Sequence, residues 1–229
     1  MKSLIVVIGL AIMISGCATY YSYVLPTNYV SEVEEVFNHF GRLNLKNKYS
    51  LKILSKEEMD NLIKTGSPMI DTSKNIIYLD DLYLKYLYGQ KNGKFYHIRK
   101  RDLACIIAHE ICHSEYNLVA NNIAQHLEVD MKAIELLRNF NIDWHDYAGA
   151  IIRMGNYLET RRGDWSNFLR LGSQWTTGLT IGMIFFEFDT KTRFFEISRI
   201  YGGENWMYDG NLSKRTSEDF SRKDDWEFH

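Results

Sequence analysis

The chain has 229 residues, 45% of them apolar, which is enough for one full hydrophobic core or two small ones without disulfide staples. Its 27 Lys and Arg against 29 Asp and Glu give a formal charge of −2, so nothing general attracts nucleic acid and none is expected as a partner. Aromatics at 14% and only two prolines exclude a disordered or low-complexity chain, and three cysteines are too few for a disulfide scaffold.

Met1-Lys2-Ser3 carries one positive side chain, and Leu4 to Ile14 follow as an unbroken apolar run. That run is shorter than the roughly 20 residues a bilayer-spanning helix needs. Ending in Ile14-Ser15-Gly16-Cys17, it predicts a secretory signal peptide over residues 1–16. The last four residues resemble the bacterial lipobox, which implies lipidation of Cys17, a tether over 17–28 and a membrane partner through that anchor. Two or more acyl chains hold a protein stably on a bilayer. The expected location is the cell envelope, on the periplasmic face of the outer membrane in a Gram-negative host. The remainder divides into one domain, 29–209, and a charged tail, 210–229.

Within the domain, Val30, Val33, Val36, Phe37 and Phe40 recur at helix period. Tyr49 to Leu54 reads as a short strand, and Ser55-Lys56-Glu57-Glu58 has the capping-box spacing that opens a helix. Ser67-Pro68 breaks the chain before a strand at Ile76-Ile77-Tyr78-Leu79, and Asp80 or Asp81 caps a short helix through Tyr88. Gly89 to Gly93 reads as a loop. A helix is predicted from about Arg99 to Tyr116, a turn at Asn121-Asn122, a second helix from Ile123 to about Phe140, and a third from Trp144 to Leu158 that ends near Arg161-Arg162-Gly163. Leu179 to Phe188 is a buried strand or helix. The fold class is α+β, mostly helical, with a small sheet ahead of the central helix. Cys105 and Cys112, about 10 Å apart along one helix, are too far apart to bridge and read as buried thiols.

His109-Glu110-Ile111-Cys112-His113 is an H-E-x-x-H string inside an apolar-periodic helix. Four residues are about one helical turn, so both imidazoles project from one face, and Glu110 stands beside them. That pattern presents two neutral nitrogens to a single Zn²⁺ and a carboxylate to a metal-bound water. A catalytic zinc takes a third protein ligand. His126 reaches the metal only if the chain reverses near residue 120. Glu128, two residues on, is the alternative third ligand, and Asp130 stands one turn after His126 as an acceptor able to orient an imidazole.

These residues, with Ala108 before the motif and Glu128-Val129-Asp130-Met131-Lys132-Ala133 after it, resemble the gluzincin metallopeptidases, in particular the CAAX prenyl proteases and their soluble bacterial periplasmic relatives. In that family a strand shortly precedes the zinc helix, here Ile76 to Leu79. An E-x-x-x-D element on the next helix supplies the third ligand and an Asp that steadies the site. Asp130 matches that Asp, but the position four residues earlier is His126, not Glu. The interval from His113 is shorter than in most of the family, and its His-Pro element near the C-terminus is absent. The adopted reading takes His126 as the ligand.

The expected activity is that of a zinc-dependent metalloendopeptidase with one Zn²⁺ per chain, acting on a peptide or unfolded protein substrate. Tyr147, His145 and Arg153 are candidates to stabilise the oxyanion. The substrate pairs with Ile76 to Leu79 if that strand has a free edge, and not if it is internal. His39 and His97 read as packing residues, and the scattered tryptophans as core or cover. The rival reading is a non-catalytic envelope lipoprotein clasped by zinc, with His109, His113, His126 and Glu128 all bound.

Overall fold

The computed structural model describes residues 25, 27–62, 68–91, 94–118, 122–162 and 178–208. The signal-peptide segment, Cys17, most of the tether, the tail from 210, Trp165, Trp175 and Trp226 lie outside the described residues. Among the described residues, no helix is long and apolar enough to cross a membrane.

Helix α1, Tyr29–Phe40, buries Val33, Val36 and Phe40, an i, i+3, i+7 stripe. Strand β1, Ser50–Leu54, leads into helix α2, Lys56–Leu62, through the predicted capping box. The Ser55 N–H donates to Glu58 Oε2 at 2.8 Å, and the Glu58 N–H donates back to Ser55 Oγ at 3.2 Å. Strands β2, Met69–Asp71, and β3, Ile76–Asp80, complete a three-stranded sheet in the order β1-β3-β2. β3 runs parallel to β1, with Ser50 opposite Ile76, and antiparallel to β2, with Met69 opposite Tyr78. The expected strand at Ile76 to Leu79 is therefore the central one and has no free edge; the edge beside the helix that carries the H-E-x-x-H string is β2.

Asp80 caps helix α3, Asp81–Leu87, by accepting from the Tyr83 N–H at 2.6 Å. The expected loop at Gly89 to Gly93 is corrected: strands β4, Tyr88–Lys91, and β5, Lys94–Ile98, pair antiparallel. Asn92-Gly93 between two short runs is a hairpin signal, and glycine content alone does not separate a loop from such a turn.

Among the described residues, four helices carry the rest: α4, Lys100–Glu115; α5, Ile123–Leu137; α6, Trp144–Arg162; and α7, Gly178–Gly202. The segment Leu179 to Phe188 is thus helical. A short 3-10 turn, Arg138–Phe140, extends α5, and another, Gly203–Tyr208, follows α7. Every residue of α4 from Asp102 to Cys112 is buried, because α1, β2, β3, α5 and α6 surround it. Cys105 and Cys112 are buried free thiols, as the spacing requires.

Buried charge ties α4 in place. Asp102 takes both Nε and Nη2 of Arg153 on α6, the second at 2.7 Å, and Arg99 Nε at 3.1 Å. At the far end, Glu115 accepts from the Lys46 N–H (2.9 Å), the Asn47 N–H (3.0 Å) and the Tyr49 hydroxyl (2.7 Å), fastening the approach to β1. Asn117, at φ 53°, helps reverse the chain, and Asn122 caps α5 by accepting from the Gln125 N–H at 3.0 Å. The reversal brings α5 back along α4. The result is α+β, mostly helical, with a small sheet.

Candidate metal centre

His109 and His113 leave α4 one turn apart, and their Nε2 atoms face each other at 3.2 Å. The other ring nitrogens fix which tautomer each holds. His113 Nδ1 lies 2.8 Å from the Leu118 carbonyl oxygen, which only accepts, so Nδ1 carries the proton. His109 Nδ1 lies 2.9 Å from Asp130 Oδ1 and 2.9 Å from the Tyr147 hydroxyl, which itself donates to Asp130 at 2.6 Å. Nδ1 is again the donor. Burial drives His109 down to about 3 and His113 downward too, so both rings are neutral at pH 7.

Two unprotonated nitrogens thus point at one another across 3.2 Å, a repulsive arrangement unless a cation lies between them. Two nitrogens bound at zinc distances on a tetrahedral ion stand about 3.3 Å apart, so the pair fits that ion. The third position is less advanced. The His126 ring centroid is 6.2 Å from that of His109 and 6.1 Å from that of His113, against 4.8 Å between the first two. Three imidazoles around one tetrahedral zinc hold their centroids about 5 Å apart, so His126 stands roughly 1 Å outside. Among the described residues, no group of three or more His, Cys, Asp or Glu is drawn together closely enough to hold a metal ion. His126 nevertheless lines the same cleft, whereas Glu128 is exposed and forms no part of its wall.

The cleft has a volume of about 340 Å³. Glu110 is 8% exposed in its floor. Burial drives its carboxyl up to about 8, against the opposing pull of the Arg193 charge and the Ile70 backbone N–H. Ile70 belongs to β2, so the edge strand runs directly beside the carboxylate. One wall is apolar: Ile106 of α4, with Ile151, Met154 and Leu158 at i, i+3, i+7 on α6. Thr190 and Arg193 of α7 close the other side.

Asp130 is fully buried. Burial alone would raise its carboxyl, but the Arg193 charge and the hydrogen bonds from His109 and Arg193 outweigh it and hold the group well below the usual carboxylate range. Of the oxyanion candidates, Tyr147 lies behind His109 on Asp130, and Arg153 is spent on Asp102. His145 stacks on Trp144 at 3.9 Å and bonds Asp143 at the start of α6. None of the three lines the cleft. His39 is a packing residue set edge-on to Phe140, and the side chain of His97 lies outside the described residues.

Arg193 and Thr190 were not legible in the sequence. The faint signal was an Arg among the inward positions of a helix, since Thr190, Arg193 and Ile197 follow helix spacing. Compared with known proteins, the chain matches no family, no curated protein and no solved structure. The resemblance to gluzincins rests on the residues quoted for it.

Proposed function

We propose that the chain is a zinc-dependent metalloendopeptidase of the cell envelope, lipid-anchored at Cys17, that hydrolyses peptide bonds in envelope proteins. One observation carries this reading: the two Nε2 atoms stand 3.2 Å apart, their protons held on Nδ1 by Leu118 and Asp130, beside the buried Glu110 carboxyl group in the cleft. His109 and His113 would hold the ion, with His126 as third ligand after a closure of roughly 1 Å. Zinc, when bound, lowers the pKa of its water towards neutrality and polarises the scissile carbonyl.

The chain's own groups do the rest. The Glu110 carboxyl, raised by a burial that a cation held by the two imidazoles would offset, would then be a carboxylate that accepts the proton of the attacking water and delivers it to the leaving amine nitrogen. β2 offers its edge to an extended peptide, whose main chain pairs beside Ile70. The wall of Ile106, Ile151, Met154 and Leu158 excludes water and accepts an apolar side chain next to the scissile bond. A closed four-ligand clasp draws no support from this geometry, since Glu128 is exposed.

The test is zinc content and cleavage of an unfolded protein, measured together on the chain from Ala18 onward and on its Glu110→Gln variant. Zinc near one per chain in both, with cleavage only in the wild type, is the expected result. A zinc-loaded wild type that cleaves nothing returns the chain to the clasp reading. A folded wild type that binds no zinc removes both.

A further inference from the structure

We infer that Arg193 is a positioning residue for the His109 imidazole, so that helix α7, at the far end of the chain, completes the metal side of the cleft. The inference rests on the zinc half of the proposed function and not on the peptidase half. Arg193 is 7% exposed, and a guanidinium buried to that degree needs a partner that satisfies it. It donates from Nε to Asp130 Oδ2 at 2.8 Å and from Nη2 to Asp130 Oδ1 at 2.6 Å. A fork meeting both oxygens fixes the plane of the carboxylate as well as its position.

With that plane fixed, Oδ1 faces His109 Nδ1 at 2.9 Å and the Tyr147 hydroxyl at 2.6 Å. The proton of His109 is therefore kept on Nδ1, and Nε2 is left facing His113. A staple between α7 and α5 would serve with any buried pair. This one is built on the carboxylate that orients the imidazole, and Arg193 itself lines the cleft. The outer partners of a metal-binding histidine set its tautomer and ring direction.

The buried fork of Arg153 on Asp102 supplies the control: it joins the same kinds of group, and neither residue lines the cleft. The experiment compares Arg193→Met, Arg193→Lys and Arg153→Met with wild type, using the full chain in detergent. Zinc affinity is measured by competition with a chromophoric chelator. The His109 tautomer is read from imidazole ¹⁵N shifts of the metal-free protein. The expected result is a fall of about 10- to 100-fold in zinc affinity for Arg193→Met, with Nε2-protonated His109 appearing in the spectrum. Arg153→Met should lower Tm and leave both readouts at wild type. If Arg193→Met does not fold, Arg193→Lys decides in its place, since it keeps the charge and loses the fork. An unchanged tautomer together with zinc affinity within twofold of wild type, in whichever Arg193 variant folds, would overturn the assignment and leave a plain staple. If the wild type binds no zinc, the metal part of the inference falls with the proposed function, and the tautomer decides only whether Arg193 positions the imidazole. Neither readout uses cleavage, so an inactive protein leaves the inference standing.

Discussion

His126 and Glu128 are two residues apart on α5, about 200° around the helix, so they cannot serve the same face. The imidazole lines the cleft and the carboxylate is exposed. His126→Ala should therefore lower zinc affinity at least tenfold, while Glu128→Ala leaves it within twofold, both measured by chelator competition. Equal losses would mean that α5 turns on binding and that both residues take part. The contrast shows where sequence reading reaches its limit. His109, Glu110 and His113 share one turn of one helix, so their spacing fixes their geometry. Choosing between His126 and Glu128 needed the phase of α5 against α4, and that is set by packing. Arg193 had only the faint signal of its helix spacing, because its partner Asp130 lies 63 residues earlier.

At the scale of elements, a buried charge pair and a close approach each fix how two helices meet. Asp102 is buried, and burial would raise its carboxyl, but the charges of Arg153 and Arg99 outweigh that and hold it low. Asp102→Asn leaves the Arg153 guanidinium buried without its counter-charge and should destabilise the fold by about 3–5 kcal/mol in denaturant titration. The folded value lies below the unfolded one, so this contribution is complete above the unfolded value, near pH 4, and is lost as pH falls through the folded value. The variant should accordingly show a flatter stability curve than wild type below about pH 4. Gly155 marks the close approach: a Cβ there would stand 2.8 Å from Thr190 Oγ1 and 3.3 Å from Thr190 Cβ. Gly155→Ala should destabilise by about 1–3 kcal/mol despite the better helix propensity of Ala. Adding Thr190→Ala should recover most of the loss. Full stability in the single variant would mean that α6 and α7 separate without cost. Helices α1 and α4 to α6 were readable from the sequence; whether Leu179 to Phe188 was strand or helix, and which strand is central, were not. β2 is only three residues long, too short to show alternation, and its pairing with β3 depends on register between separate segments.

For the whole molecule, the site is a meeting point of segments that are distant in sequence: Ile70 on β2, the motif on α4, His126 and Asp130 on α5, Tyr147 and Met154 on α6, Arg193 on α7. An ion held there by α4 and α5 is bound only when those helices are docked, so its binding energy adds to folding stability. At free zinc a thousandfold above Kd the addition is about 4 kcal/mol, and for a domain of this size that raises Tm by roughly 10 °C. Stripping the metal with a chelator should lower Tm by that amount, and returning zinc should restore it. Glu110→Gln should keep the full shift, because Glu110 is not among the proposed ligands. His113→Ala should abolish the shift and, with no buried charge exposed, keep a Tm near that of stripped wild type. A shift retained in His113→Ala would place the stabilising ion elsewhere on the chain. The expected pattern, shift lost with the imidazole and kept with the carboxamide, separates a ligand from a proton carrier before any peptide bond has been cut.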